Sequence, residues 1–157
     1  MNKTVLGVIV AIAVVCTGGT WMMSVGLRSA KKVSDEAFKF VNQEIPPILQ
    51  SWDAKRVTPI AHPELIRNNP EPQTQKVFNE LKAKLGDFKS IGSWRTLGFN
   101  PNFQVDGKKT IAANLEGEAS FSKGTAYVEV TLIRPGKTWQ LAKLFVRDVA
   151  GMRTSDK

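Results

Sequence analysis

The 157-residue chain contains one cysteine, one histidine and one tyrosine, and each shortage removes a class of chemistry. Cys16 sits inside an apolar run near the N-terminus, so the rest of the chain has no thiol for a disulfide, a zinc site or a nucleophile. His62 precedes Pro63 in a segment that reads as a loop between helices, with no second histidine or cysteine to share a metal ion, and no metal site is expected. A glycine-rich phosphate cradle is also missing. Gly18 and Gly19 fall within the apolar run, and Gly86, Gly92 and Gly98 lack the lysine and helix start that such a cradle needs, so no cofactor is expected. Lysines and arginines of the body stand singly among acids, with no basic stripe interleaved with aromatics, which argues against nucleic acid as a partner.

Charge is absent altogether from Val5 to Leu27, a stretch of 23 residues preceded by Lys3 and followed by Arg28, Lys31 and Lys32. About 20 residues at about 1.5 Å each cross the hydrocarbon of a bilayer, so residues 5–27 are expected to form a transmembrane anchor. A cleaved signal sequence is the main rival reading, because Lys3 and Val5 to Val15 match its charged and apolar regions. It lacks an A-x-A cleavage pattern, and Trp21, Met22, Met23, Val25 and Leu27 carry the apolar character past the place where cleavage would fall. Lipidation at Cys16 is disfavoured by the bulky Val15 before it. Gly7 and Ala11 form a weak small-xxx-small contact for helix association.

The distribution of positive charge slightly favours a cytoplasmic body. The short N-terminal tail instead matches a signal-anchor that exports the C-terminal body, and by that analogy a periplasmic domain on the inner membrane is expected. Net charge is +8, yet beyond residue 32 the 18 basic residues face all 14 acidic ones, so half the excess flanks the apolar run, where it suits anionic headgroups. The expected layout is a tail at 1–4, the anchor at 5–27, a basic juxtamembrane linker at 28–33, one domain at 34–150 and a flexible C-terminal tail at 151–157. About 120 residues suffice for one domain, and 42% hydrophobic content supplies a core.

Within that body Ser34 reads as an N-cap, with Asp35 and Glu36 in the first turn of a helix. Phe38, Val41, Ile45, Ile48, Leu49 and Trp52 recur at spacings of three and four and define its buried face. Pro46 and Pro47 remove two amide donors and should bend or divide it. Residues 61–67 suit a short helical turn, and residues 68–72 a loop. A second long helix is expected over 73–85, with Val77, Phe78, Leu81 and Leu85 on one face and Gly86 as a left-handed C-cap. The period then changes to two. An early strand is expected between Phe88 and Phe99, with bulges or bends at Gly92 and Gly98. Ile111, Ala113, Leu115, Ala119 and Phe121 share one face, and Glu116, Glu118 and Ser120 the other, where the two glutamates are expected to be solvated. After a turn at 122–124, Ala126, Val128, Val130 and Leu132 alternate with Tyr127, Glu129 and Thr131, and a second turn at 134–137 leads into a last strand over 139–149. The fold class is therefore α+β: a kinked N-terminal helix and a second helix on a curved antiparallel sheet of about four strands, preceded by one transmembrane helix.

Three segments, Glu44 to Asp53 (EIPPILQSWD), Leu85 to Gly92 (LGDFKSIG) and Ala126 to Leu141 (AYVEVTLIRPGKTWQL), resemble the nuclear transport factor 2-like superfamily, the cystatin-like cone, over residues 34–149. Within it the chain is most similar to short bacterial membrane-anchored proteins of unassigned function. These are scaffold motifs without a catalytic signature. The resemblance implies a pocket at the open end of a cone, with Trp52, Trp94, Phe103, Tyr127, Trp139 and Phe145 as candidate lining residues. Aromatics on a sheet and its helix more often simply fill the core. Isomerase-type members use an acid as proton-transfer base, for which Asp53, Tyr127 and Asp148 are the nominees, although nothing in their spacing selects them. Two functions follow: a non-enzymatic module docking a protein partner or a second copy through the sheet, or a domain for a small apolar ligand or isomerase chemistry.

Overall fold

The computed structural model describes residues 26–148. Helix α1 (Gly26–Ser51) leads into two short 3-10 turns (Ala54–Arg56 and Thr58–Ile60), then α2 (Pro63–Asn68) and α3 (Glu71–Leu85). Five antiparallel strands follow: β1 (Phe88–Ile91), β2 (Arg95–Val105), β3 (Lys108–Phe121), β4 (Gly124–Arg134) and β5 (Gln140–Asp148). Four strands were expected, and the early one proves to be two. Both β1 and β2 pair with the same side of β3, β1 near its end and β2 along the rest. The chain leaves the sheet between them at Gly92, Ser93 and Trp94, and Trp94 and Ile91 settle onto Gly117, where an added Cβ would come within 3.1 Å of each. A register shift between Thr96 and Gly98 marks the second expected irregularity.

Helix α1 departs from expectation at both signals that were to bound or break it. Ser34 and Asp35 lie inside the helix and residues 28–33 are helical, so the segment is not a linker and Ser34 is not its cap. Pro46 and Pro47 are carried within one continuous helix. Tertiary packing outweighs these local signals, since Ala37, Val41, Ile45, Ile48 and Leu49 are buried on both sides of the prolines. The helix ends at Trp52, whose amide donates to Ile48 O at 2.8 Å and whose φ of 52° is left-handed. A tryptophan seldom holds that conformation, which costs about 1–2 kcal/mol, and here its ring is locked against Phe121 and Phe78 at 5.6 and 5.7 Å between centroids. Gln75 of α3 secures the same corner, donating from Nε2 to Trp52 O and accepting at Oε1 from the Ala54 amide, each at 2.9 Å.

One core lies between α1, α3 and a single face of the sheet. Ala113, Leu115, Ala119 and Phe121 of β3 meet Ala126, Val128, Val130 and Leu132 of β4 there, as the alternation predicts. Phe78 and Leu85 of α3 close one side. Gly86 caps that helix with φ 80°, and its space is fixed by Ser122, whose Oγ would stand 2.0 Å from an added Cβ. Among the described residues no helix is long and apolar enough to cross a membrane. The expected anchor at 5–27, with Lys3, lies outside the described residues except for Gly26 and Leu27, as does the tail at 151–157.

Candidate functional site

The six candidate pocket residues do not converge. Trp52, Trp94 and Trp139 belong to the core on the helix-covered face, whereas Phe103, Tyr127 and Phe145 lie on the opposite face, half-buried. Tyr127 follows from strand parity, because Ala126 and Val128 on either side of it are buried in the core. Phe145 depends on a bulge. Leu141 pairs with Leu132 on the core side, but the register slips between Thr131 and Leu132, so that Leu144 and Val146 turn inward and Lys143, Phe145 and Arg147 outward.

On the helix-covered face the aromatic rings pack against one another, tightly around Trp52 and more openly at the other end, where Phe99 is 37% exposed. Trp52 lies between Phe78 and Phe121, Phe88 meets Phe121 edge-on at 5.8 Å, and toward the other end Phe99 meets Trp139 at 6.5 Å. The indole N–H groups of Trp52, Trp94 and Trp139 are buried without a protein acceptor, so shape and apolar area hold these rings in place. Asp53 caps the first 3-10 turn, its Oδ1 accepting from the Lys55 amide at 3.0 Å, which accounts for a carboxylate at a helix end. Asp148 closes β5 opposite Ala126.

The outer face of the sheet carries the charge. Glu116 was expected to be solvated beside Glu118; Glu118 is exposed, but Glu116 is only 3% exposed. Its Oε1 accepts from Arg95 of β2 through Nε at 2.8 Å and also through Nη2, and its Oε2 accepts from Arg147 of β5 at 3.2 Å. Arg147 also pairs with Glu129 of β4 at 3.3 Å, and Glu129 reaches Lys143 at 3.8 Å. Tyr127 and Phe145 serve as platforms, with the Arg147 guanidinium 5.4 Å from one ring and the Lys143 ammonium 5.4 Å from the other. A ladder of alternating sign thus crosses the sheet, and both oxygens of Glu116 are committed to guanidinium partners. No sequence signal joins Arg95, Glu116 and Arg147, since they meet only through strand register.

Beside this ladder the same face becomes apolar. Ala112 and Ile133 are buried there, and a hollow of about 80 Å³ opens between β2 and α2, lined by Phe103, Val105, Ile133, Leu65, His62 and Lys143 among others. His62 is the N-cap of α2: its Nδ1 accepts from the Glu64 amide at 3.3 Å, and its own amide donates to Leu141 O at 2.8 Å, tying α2 to the β5 edge. Among the described residues no three metal-ligating side chains cluster. No family model, curated protein or solved structure matches the chain.

Proposed function

We propose that the chain is a membrane-anchored envelope protein whose body, of the nuclear transport factor 2-like kind, serves as a non-enzymatic interaction or assembly module. Residues 5–27 hold it in the inner membrane, and the body stands on the periplasmic side. One observation carries the reading: Trp52 fills the helix-covered face between Phe78 and Phe121, where ligand-using members of the fold family it resembles keep their pocket. Small-molecule sites usually enclose about 300–1,000 Å³. The hollow beside Phe103 is far smaller, at about 80 Å³. A groove of about 400 Å³ on α1 is lined by the charged residues Lys31, Lys32, Asp35, Glu36 and Lys39 and does not suit an apolar ligand, whereas on the outer face alternating charges beside half-buried aromatics offer paired contacts to another protein surface or to a second copy.

Site-specific photo-crosslinking of the full chain in its membrane tests this. A photoreactive residue replacing Phe145 or Phe103 should give a discrete adduct, to a partner or to a second copy, and one replacing Lys123 at the end of the sheet should not. Equal labelling from all three positions, or a saturable apolar ligand that protects Trp52 from denaturation, would sink the proposal.

A further inference from the structure

Two contacts fix the direction in which α1 crosses the sheet. Near its end Trp52 stacks on Phe121, the last residue of β3, and near its start Glu36 pairs at 2.8 Å with Arg134, the last residue of β4. Since Phe121 pairs with Gly124 and Arg134 with Ile111, these lie at opposite ends of the two strands. The start of α1 therefore shares one end of the domain with the β2–β3 turn at Asp106 and Gly107 and the β4–β5 turn at residues 135–139. The ten residues from Glu36 back to Gly26 remain helical and at about 1.5 Å each carry the helix about 15 Å past Arg134.

Two lysine pairs and a single lysine that are far apart in the sequence are gathered by this arrangement. Lys108 and Lys109 follow the first turn, Lys137 occupies the second, and Lys31 and Lys32 lie on α1; all five are exposed, against the exposed acids Asp35 and Asp106. The opposite end is basic as well, with Lys55, Arg56, Lys82, Lys84, Lys89 and Lys123 exposed against exposed Asp87 and half-buried Asp53, and the Lys123 ammonium donates to Ala83 O at 2.8 Å, so charge alone does not choose between the ends.

We infer that the end of the domain bearing the β2–β3 and β4–β5 turns docks on an anionic phospholipid bilayer through Lys108, Lys109 and Lys137, beside the first turns of α1. The exposed lysines suit an anionic surface, and the place where the chain outside the described residues begins selects this end over the other basic one. The uncharged run of residues 5–27 ends where α1 starts, so a bilayer holding that run faces this end and not the one at Lys123. Helical residues 28–33 replace a loose tether, which keeps the turns near the surface, where the potential of anionic lipid extends about 8–10 Å. The inference rests on the anchorage proposed above and adds a second, reversible contact to it.

The test uses the full chain with Cys16→Ser and a single thiol at Gly136→Cys or Gly124→Cys, positions at opposite ends where an added Cβ meets nothing within 4 Å. A fluorophore on the thiol reports energy transfer to dye-labelled headgroups in vesicles of phosphatidylcholine alone or mixed with phosphatidylglycerol. Transfer at Gly136 should be higher in anionic than in neutral vesicles and fall toward the neutral level with added salt, while Gly124 stays lower than Gly136 in both. Combining Lys108→Glu, Lys109→Glu and Lys137→Glu should lower the docked-to-undocked ratio about a hundredfold or more, from roughly fivefold per cation lost. The salt titration of the unaltered chain gives the same answer should that variant fail to fold. Equal transfer in neutral and anionic vesicles, indifference to salt, or equal approach of Gly124 overturns docking. A chain that floats with both vesicle types but shows no approach of Gly136 refutes docking alone, whereas one that floats with neither refutes anchorage too. Loss of the anionic gain in Gly136 transfer on adding a short DNA duplex, at lower phosphate concentration than anionic vesicles without dye require, would overturn the assignment to lipid.

Discussion

The two faces of the sheet use the same residue types to opposite ends. On the helix-covered face Trp52, Phe78, Phe88 and Phe121 pack in a chain of ring contacts. On the outer face Tyr127 and Phe145 lie under Arg147 and Lys143, so aromatic area supports charge. A ring on the first face is held by its neighbours, whereas a ring on the second underlies a charged group at the surface. Function is therefore sought on the outer face and at the basic end, and stability on the helix-covered one.

Substitutions should break this contrast unequally. Trp52→Ala should have the largest effect: the ring is 2% exposed and terminates α1, and removing a buried aromatic costs about 3–5 kcal/mol, seen as a lower denaturation midpoint. Glu116→Gln should cost less, about 1–2 kcal/mol, because it weakens charged hydrogen bonds whose Arg95 partner, 69% exposed, regains water. A double-mutant cycle with Arg147→Ala should show that the two positions are coupled. The smallest effect is expected from Lys143→Ala, whose pair with Glu129 is long at 3.8 Å and partly solvated; a loss under about 0.5 kcal/mol, fading further in salt, would sharpen the division. A Lys143 effect equal to that of Trp52 would erase it.

Much of the fold was legible because its periods are strong. The buried stripe of α1, the Phe78 and Leu85 side of α3, and the alternation of β3 and β4 appear where their spacings put them. Boundaries were less legible. Ser34, Asp35 and Glu36 carry a good local start signal, but α1 is already helical before them, and Glu36 pairs instead with Arg134. The site was harder still. Tyr127 could have been placed outward from its buried neighbours, but Phe145 could not, since a one-residue bulge near Leu132 decides which way it points. Glu116 reads like its exposed neighbour Glu118, and its burial comes from guanidinium groups 21 and 31 residues away along the chain. The basic end is legible only in part: Lys31-Lys32 and Lys108-Lys109 are visible as pairs, but their company with Lys137 comes only after the meander is folded.

Nuclear magnetic resonance of the indole N–H groups in the full chain, titrated with a small aromatic hydrocarbon, tests the filled face most directly. Trp52, Trp94 and Trp139 should keep their shifts up to the solubility limit of the probe and remain slow to exchange with solvent, because their N–H groups are buried among protein atoms. Saturable shifts at Trp52 and Trp139 together would contradict this, showing a cavity between helices and sheet that admits an apolar ligand and restoring the ligand-binding reading.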